Sequence, residues 1–129
     1  MKKTVLVMAM AGIAMMFFVG CASIQTAQKF NGQKIDLNAA QEVAHINGDN
    51  WGIYCLWIPL FAGSTEKIGS VEFLGADNVK VGPVVDLVTA ESKKMGATKT
   101  LDIQSSASSS YIPPVFFFKE VQVSGNAVK

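Results

Sequence analysis

Val81-Gly82-Pro83-Val84-Val85-Asp86-Leu87-Val88-Thr89-Ala90-Glu91-Ser92-Lys93-Lys94-Met95-Gly96-Ala97-Thr98-Lys99-Thr100-Leu101-Asp102-Ile103-Gln104-Ser105 holds the clearest change of period in the chain. Val81, Val84, Val85, Val88 and Met95 fall on one stripe at helical spacing. The helix is read as starting near Pro83. Gly82 is an acceptable N-cap, and proline at the first helical position gives up no needed hydrogen bond. Asp86 then falls in the first turn and Lys93-Lys94 in the last, both in accord with the helix dipole. Gly96 suits the left-handed residue that closes a helix. From Thr98 to Ser105 the period becomes two. Leu101 and Ile103 alternate with Asp102 and Gln104, the pattern of a half-buried strand.

Working outward, Ser105 to Ser110 reads as a flexible, low-complexity turn. Ile112-Pro113-Pro114-Val115 leads into Phe116-Phe117-Phe118, which opens a last strand through Val121 and Val123, with Gly125 placed to bulge it. On the other side, Gln41 to Asn47 alternates weakly, as a strand would. Asn47-Gly48-Asp49-Asn50 carries the Asn-Gly hairpin signal. Trp51 to Ala62 is twelve residues without a charge, too short to cross a bilayer as a helix. Its aromatic and β-branched content favours a strand, ended by Pro59. Gly63-Ser64-Thr65 reads as a turn and Lys67 to Leu74 as another strand. The fold class expected is α+β: a small, mainly antiparallel sheet with one helix packed on one face, after an N-terminal signal helix.

The chain begins with Met1-Lys2-Lys3, followed by an uncharged, mostly apolar run from Thr4 to Val19, then Gly20 and Cys21. This order is the grammar of a secretory signal. Phe18-Val19-Gly20-Cys21 resembles a bacterial lipobox, with Phe18 where leucine is commonest. The resemblance implies cleavage before Cys21, a diacylglyceryl thioether on its sulfur and an acyl group on its new amino terminus. Several acyl chains hold a protein stably to a membrane, whereas one holds it marginally. Ala22-Ser23 lacks the aspartate associated with retention at the inner membrane. The expected location is therefore the cell envelope, at the periplasmic face of the outer membrane where there are two membranes. The domain plan is a signal peptide over 1–20, a polar tether over 21–38 and one domain over 39–129.

A second resemblance covers Ala90 to Ser105. Ala90-Glu91-Ser92-Lys93-Lys94-Met95-Gly96-Ala97 followed by a strand is similar to the helix–Gly-Ala–strand unit of small envelope lipoproteins, such as the Rcs stress sensor lipoprotein family. It implies a topology and no functional residue. The family pattern continues with asparagine and valines, where this chain has Thr98-Lys99-Thr100. That sensor also depends on disulfides.

Composition narrows the function. Eleven lysines, no arginine and ten acids give a formal net charge of +1, and removing Lys2 and Lys3 with the leader turns it to −1. A near-neutral domain without arginine argues against nucleic acid, which is held through many phosphate contacts. It also lacks the bidentate clamp for phosphate or carboxylate. With Cys21 lipidated, Cys55 has no partner in its own chain, and its apolar neighbours suggest a buried, unreactive thiol. His45, the only histidine, has no metal-ligand spacing around it and reads as a locally satisfied strand residue. Asp102 and Glu120 would approach each other across the last hairpin as two surface acids. No catalytic residue, metal site or cofactor is assigned.

The aromatics remain. Trp51, Tyr54 and Trp57 lie in one segment and Phe116, Phe117 and Phe118 in another. Three consecutive phenylalanines in a strand cannot all point one way, so at least one leaves the face that meets the helix. The six residues either pack as core or form a candidate interaction patch, facing membrane or protein. The function expected is a non-enzymatic envelope lipoprotein acting as a protein-interaction or structural module, with the membrane and an envelope protein as partners. The alternative is a small-ligand-binding or sensor lipoprotein with a pocket between helix and sheet. Replacing Cys21 with serine should abolish lipid labelling and leave an uncut precursor. A mature chain that starts elsewhere and carries no acyl mass would contradict the lipobox reading.

Overall fold

The computed structural model describes residues 22–28 and 41–129. Residues 1–21, with the expected signal peptide, lie outside them. In chain order the elements are β1 (Ala22–Ala27), β2 (Glu42–Cys55), β3 (Ile58–Gly63), β4 (Val71–Phe73), α1 (Val81–Lys94), β5 (Lys99–Ile112) and β6 (Phe116–Val128). All pairings are antiparallel. The sheet runs β4-β3-β2-β6-β5, and β1 also pairs with β2. One sheet with a single helix over β2, β6 and β5 is thus the arrangement among the described residues, and strand dominates it.

Fourteen-residue β2 is the axis of this sheet. Along one edge it pairs first with β1, from Ala27↔His45 to Ala22↔Asn50, and then with β3, from Gly52↔Ala62 to Cys55↔Ile58. Its other edge pairs with β6 for almost its whole length. Successive residues alternate between faces. Ala44, Ile46, Gly48, Asn50, Gly52 and Tyr54 are buried, while the odd-numbered residues between them are half-buried. The buried face meets Val84 and Val88 of α1 and Val121, Val123 and Ala127 of β6. Gly48 lets the helix come close: a Cβ there would lie 2.8 Å from a Val88 methyl.

Several sequence expectations are corrected. Asn47-Gly48-Asp49-Asn50 is not a turn but the middle of β2, where both strand edges are hydrogen-bonded and the glycine serves helix packing. The turn lies at Leu56-Trp57, with Leu56 at φ 57°. Pro59 does not end a strand but sits inside β3, opposite Tyr54, beyond the stretch where β4 covers the other edge. A proline there withholds no ladder bond. Lys67 to Leu74 contributes only Val71–Phe73 as strand. The helix begins at Val81 with Lys80 as an extended N-cap, so Gly82 and Pro83 lie inside its first turn and Asp86 beyond it. Leu87 joins Val84 and Val88 in the core, whereas Val81 is exposed. Gly96 does take the left-handed conformation, at φ 81°.

Ser105 to Ser110 is not a loop. It is part of β5, laid against Val123 to Phe118 of β6. Leu101 and Ile103 are exposed rather than half-buried. The bulge is on β5, between Leu101 and Gln104, rather than at Gly125. At the other end of the chain, Ala22–Ala27 forms a strand where a tether was expected, with Ala22 fully buried. Residues 29–38 of that tether lie outside the described residues.

The Gly48–Val88 contact is open to a double-mutant test. Gly48→Ala should cost about 1–3 kcal/mol, as overpacking does. Combined with Val88→Ala, the pair should be destabilised less than the sum of the two single changes, because the second removes the clash made by the first. Urea denaturation midpoints of the four proteins measure the coupling, and simple additivity would contradict the packing described.

Candidate functional site

The helix-side face carries one polar cluster. The Tyr54 hydroxyl, at the end of β2, donates to the Asp77 carboxylate in the segment before α1. Lys80 Nζ lies 3.2 Å from the same carboxylate. Lys119 of β6 stands over the Tyr54 ring, 4.0 Å from its centroid. Burial raises the Tyr54 pKa well above that of an ordinary phenol, and the hydrogen bond to Asp77 and its charge add to this. Burial alone would raise Asp77, but the hydrogen bond from Tyr54 and the charges of Lys80 and Lys119 outweigh it and hold the carboxyl below its usual value. A phenol that holds its proton tightly is a poor base, and the carboxylate is already paired. The cluster fixes the 74–80 segment to the sheet. Asn50 assists: its side-chain amide donates to Gly63 O at 3.1 Å and Asn78 O at 3.0 Å.

The opposite face of the sheet is divided. Towards the start of β2 it is polar. His45 Nδ1 is 2.7 Å from Asn126 Oδ1, and Ser23 donates to Asp49. Gln25, His45, Asn47, Gln122 and Ser124 border a shallow groove of about 490 Å³. Towards the end of β2 the face becomes aromatic. Trp51 and Phe118 have ring centroids 5.5 Å apart, and Phe61 and Phe73 5.2 Å.

Beyond this face the sheet ends in an apolar rim. The β2–β3 turn and the β5–β6 turn are joined by a hydrogen bond from Leu56 N–H to Val115 O, 2.9 Å. Leu74 N–H donates to Leu60 O at 3.1 Å, which adds Phe73-Leu74 to the same region. Trp57 is 77 % exposed, Phe73 65 % and Leu74 58 %; Leu56, Ile58 and Val115 are also exposed.

The six aromatics of the expected patch therefore separate. Trp57 is on the rim. Trp51 and Phe118 pack together on the outer face, and Phe116 shares that face, paired with Cys55. Phe117 turns to the helix side, where it meets Tyr111, 5.3 Å between centroids. Tyr54 is fully buried and is a core residue, not part of a patch. Cys21 lies outside the described residues. Leu56, Phe73, Leu74 and Val115 were not singled out from sequence; the absence of charge from Trp51 to Thr65 and from Ile103 to Phe118 was the signal for Leu56 and Val115.

Other sequence candidates resolve without chemistry. Cys55 is half-buried rather than buried. Asp102 and Glu120 do not approach each other: Glu120 faces Ser108 in the register, while Asp102 accepts a hydrogen bond from Asn126, 3.3 Å. Among the described residues, no three His, Cys, Asp or Glu side chains gather as a metal site. Comparison with protein-family models, curated proteins and solved structures finds no match.

The Tyr54–Asp77 bond has a pH signature. Because the folded-state pKa of Tyr54 is raised, its contribution is fully present below about pH 10, the ordinary phenol value, and is lost as pH rises beyond it. Asp77, with its folded-state pKa lowered, contributes above the ordinary carboxyl value and loses that contribution as pH falls through the folded one. Tyr54→Phe should cost about 1.5–3 kcal/mol at pH 7, in the range of a hydrogen bond to a charged group. The gap from wild type in urea melts should narrow at both alkaline and acid extremes. A gap constant from acid to alkali would contradict the assignment.

Proposed function

We propose that this chain is a lipid-anchored protein of the bacterial envelope, without catalytic activity, that works through protein contacts, and that its β5 edge joins a second copy. The anchor is inferred from the leader and Cys21. The single observation that supports the contact reading is β5 itself. It is the last strand of the sheet, fourteen residues long, and all of them but Thr100 are exposed. Natural sheets blunt such edges with short strands, proline, lysine or inward charges. From Ile103 to Ile112 β5 has no charge and no proline, and its bulge lies at one end.

The strand also complements itself. An antiparallel pair of β5 strands centred on Ala107 sets Ile103 opposite Tyr111 of the second copy, and Ser105 opposite Ser109. Ile103 falls within the β5 bulge, with its side chain 3.4 Å from where a Gly125 Cβ would lie, on the face where Tyr111 meets Phe117, and both are exposed. Aromatic–β-branched pairs of this kind are favourable across strands. The two-fold axis stands normal to the sheet and keeps the same face of both copies on one side, as two copies held to one bilayer require. The ligand-pocket alternative draws less support. Ile46, Tyr54, Val84, Val88, Val121 and Val123 occupy the space between helix and sheet.

Ala107 is exposed, so charge can be placed there without entering the core. Ala107→Lys and Ala107→Glu should each weaken self-association of the full chain in detergent at least about tenfold, a loss of about 1.4 kcal/mol. Mixing the two variants should restore it. Sedimentation velocity reads the result. A monomeric wild type at micromolar concentration, or single variants that associate as wild type does, would overturn the proposal.

A further inference from the structure

We propose that the apolar rim of the sheet, centred on Trp57, rests on the lipid bilayer to which the chain is anchored; this depends on the lipid-anchor reading of Cys21. The rim is Leu56, Trp57, Ile58, Phe73, Leu74 and Val115, all exposed and held together by the Leu56–Val115 and Leu74–Leu60 backbone bonds. Its segments carry no charge: Trp51 to Thr65, Phe73 to Ala76 and Ile103 to Phe118. A contiguous exposed apolar surface of this kind marks an interaction site, and tryptophan and tyrosine favour the level of lipid headgroups.

The position of the anchor selects lipid as the occupant. Ala22 is 1 % exposed and paired with Asn50, and its carbonyl accepts Gly69 N–H at 3.1 Å. Cys21 precedes it directly. No spacer therefore separates a lipidated Cys21 from the folded sheet. Strand β1 is antiparallel to β2, so the chain enters β1 from the side towards which β2 runs to reach Leu56-Trp57. Asn50 and Leu56 are six residues apart, about 20 Å of strand. Because they are separated along the strands, the rim and the anchor reach one membrane surface when the strands lie nearly along it with the helix side facing away, the orientation that a two-fold axis normal to the sheet keeps for both copies. Glu72, next to Phe73, accepts a hydrogen bond from the Asn78 side chain at 3.2 Å, and Asp77, Lys80 and Lys119 are engaged with one another and with Tyr54 behind the rim.

The test uses the full chain in vesicles of phosphatidylethanolamine and phosphatidylglycerol, with and without a lipid brominated on its acyl chains. Trp51 and Trp57 are the only tryptophans, so Trp51→Phe leaves Trp57 as the reporter. Its emission should shift to the blue on reconstitution, be roughly halved by the brominated lipid and be shielded from iodide in the water. Trp57→Phe, an exchange at an exposed site, leaves Trp51 alone and should lose most of that quenching, which also guards against misfolding of the first variant. Intact mass of the same sample reports acylation. An acylated chain whose Trp57 is unquenched would overturn the docking while leaving the anchor reading intact. Shielding from iodide without quenching by bromine would place a protein on the rim and overturn lipid docking as well. Absence of acyl mass would remove the anchor reading and the proposal with it.

Discussion

The contact between β2 and α1 organises the rest of the molecule. It requires a strand that is hydrogen-bonded on both edges and flat enough on one face to receive a helix. Gly48 supplies the flatness, and Gly52 allows the close approach of β3. A Cβ at Gly48 would run into Val88, and one at Gly52 would lie 2.7 Å from the Phe61 carbonyl oxygen. Ile46 and Tyr54 supply the apolar mass around them. Asn50 ties this face to the Gly63 and Asn78 carbonyls, so the segment before α1 is delivered to the sheet by the same strand that receives the helix. The helix then crosses onto β6 and β5, where the Thr100 hydroxyl donates to Ser92, 2.9 Å. One face is thereby closed. The other face, the rim and the β5 edge are left uncovered by the helix.

How much of this the amino-acid order discloses varies with the kind of force involved. The helix is legible because Val84, Val88 and the closing Gly96 report local periodicity and capping, which depend on near neighbours. The last strand is legible for the same reason: Val121 and Val123 alternate. The places that mislead are those where a distant partner decides. Asn47-Gly48 has the chemistry of a turn, but six residues of β1 and nearly all of β6 are hydrogen-bonded along β2 across that point. The serine run has no propensity worth following by itself, and it is extended because β6 offers it a ladder. Ala22–Ala27 reads as polar spacer because it contributes little apolar surface; it is recruited by backbone pairing. The candidate site shows the same division. Trp57 was identifiable as an uncharged-run aromatic, whereas Tyr54, three residues away, is buried by β2 alternation.

The distribution of charge is consistent with a protein that acts by contact. The acids and lysines that meet are spent on local order: Asp77 with Lys80, Glu91 with Lys94 at 3.0 Å, and Lys119 on an aromatic ring. His45 is engaged by Asn126. Exposed charges such as Lys67, Asp86, Lys93 and Lys99 lie away from the rim and from the uncharged Ile103 to Ile112 stretch of β5.

The position of β1 also has a mechanical meaning. Its six residues lie side by side with β2 from His45 to Asn50, and the ladder bonds run across the strands rather than along them. A pull on the chain ahead of Ala22, directed along the strand, loads these bonds together in shear. They cannot open one after another as in a peeled hairpin. Tension arriving at Ala22 from that side would be carried straight into the central strand of the sheet, and β1 would then act as a force-bearing clamp.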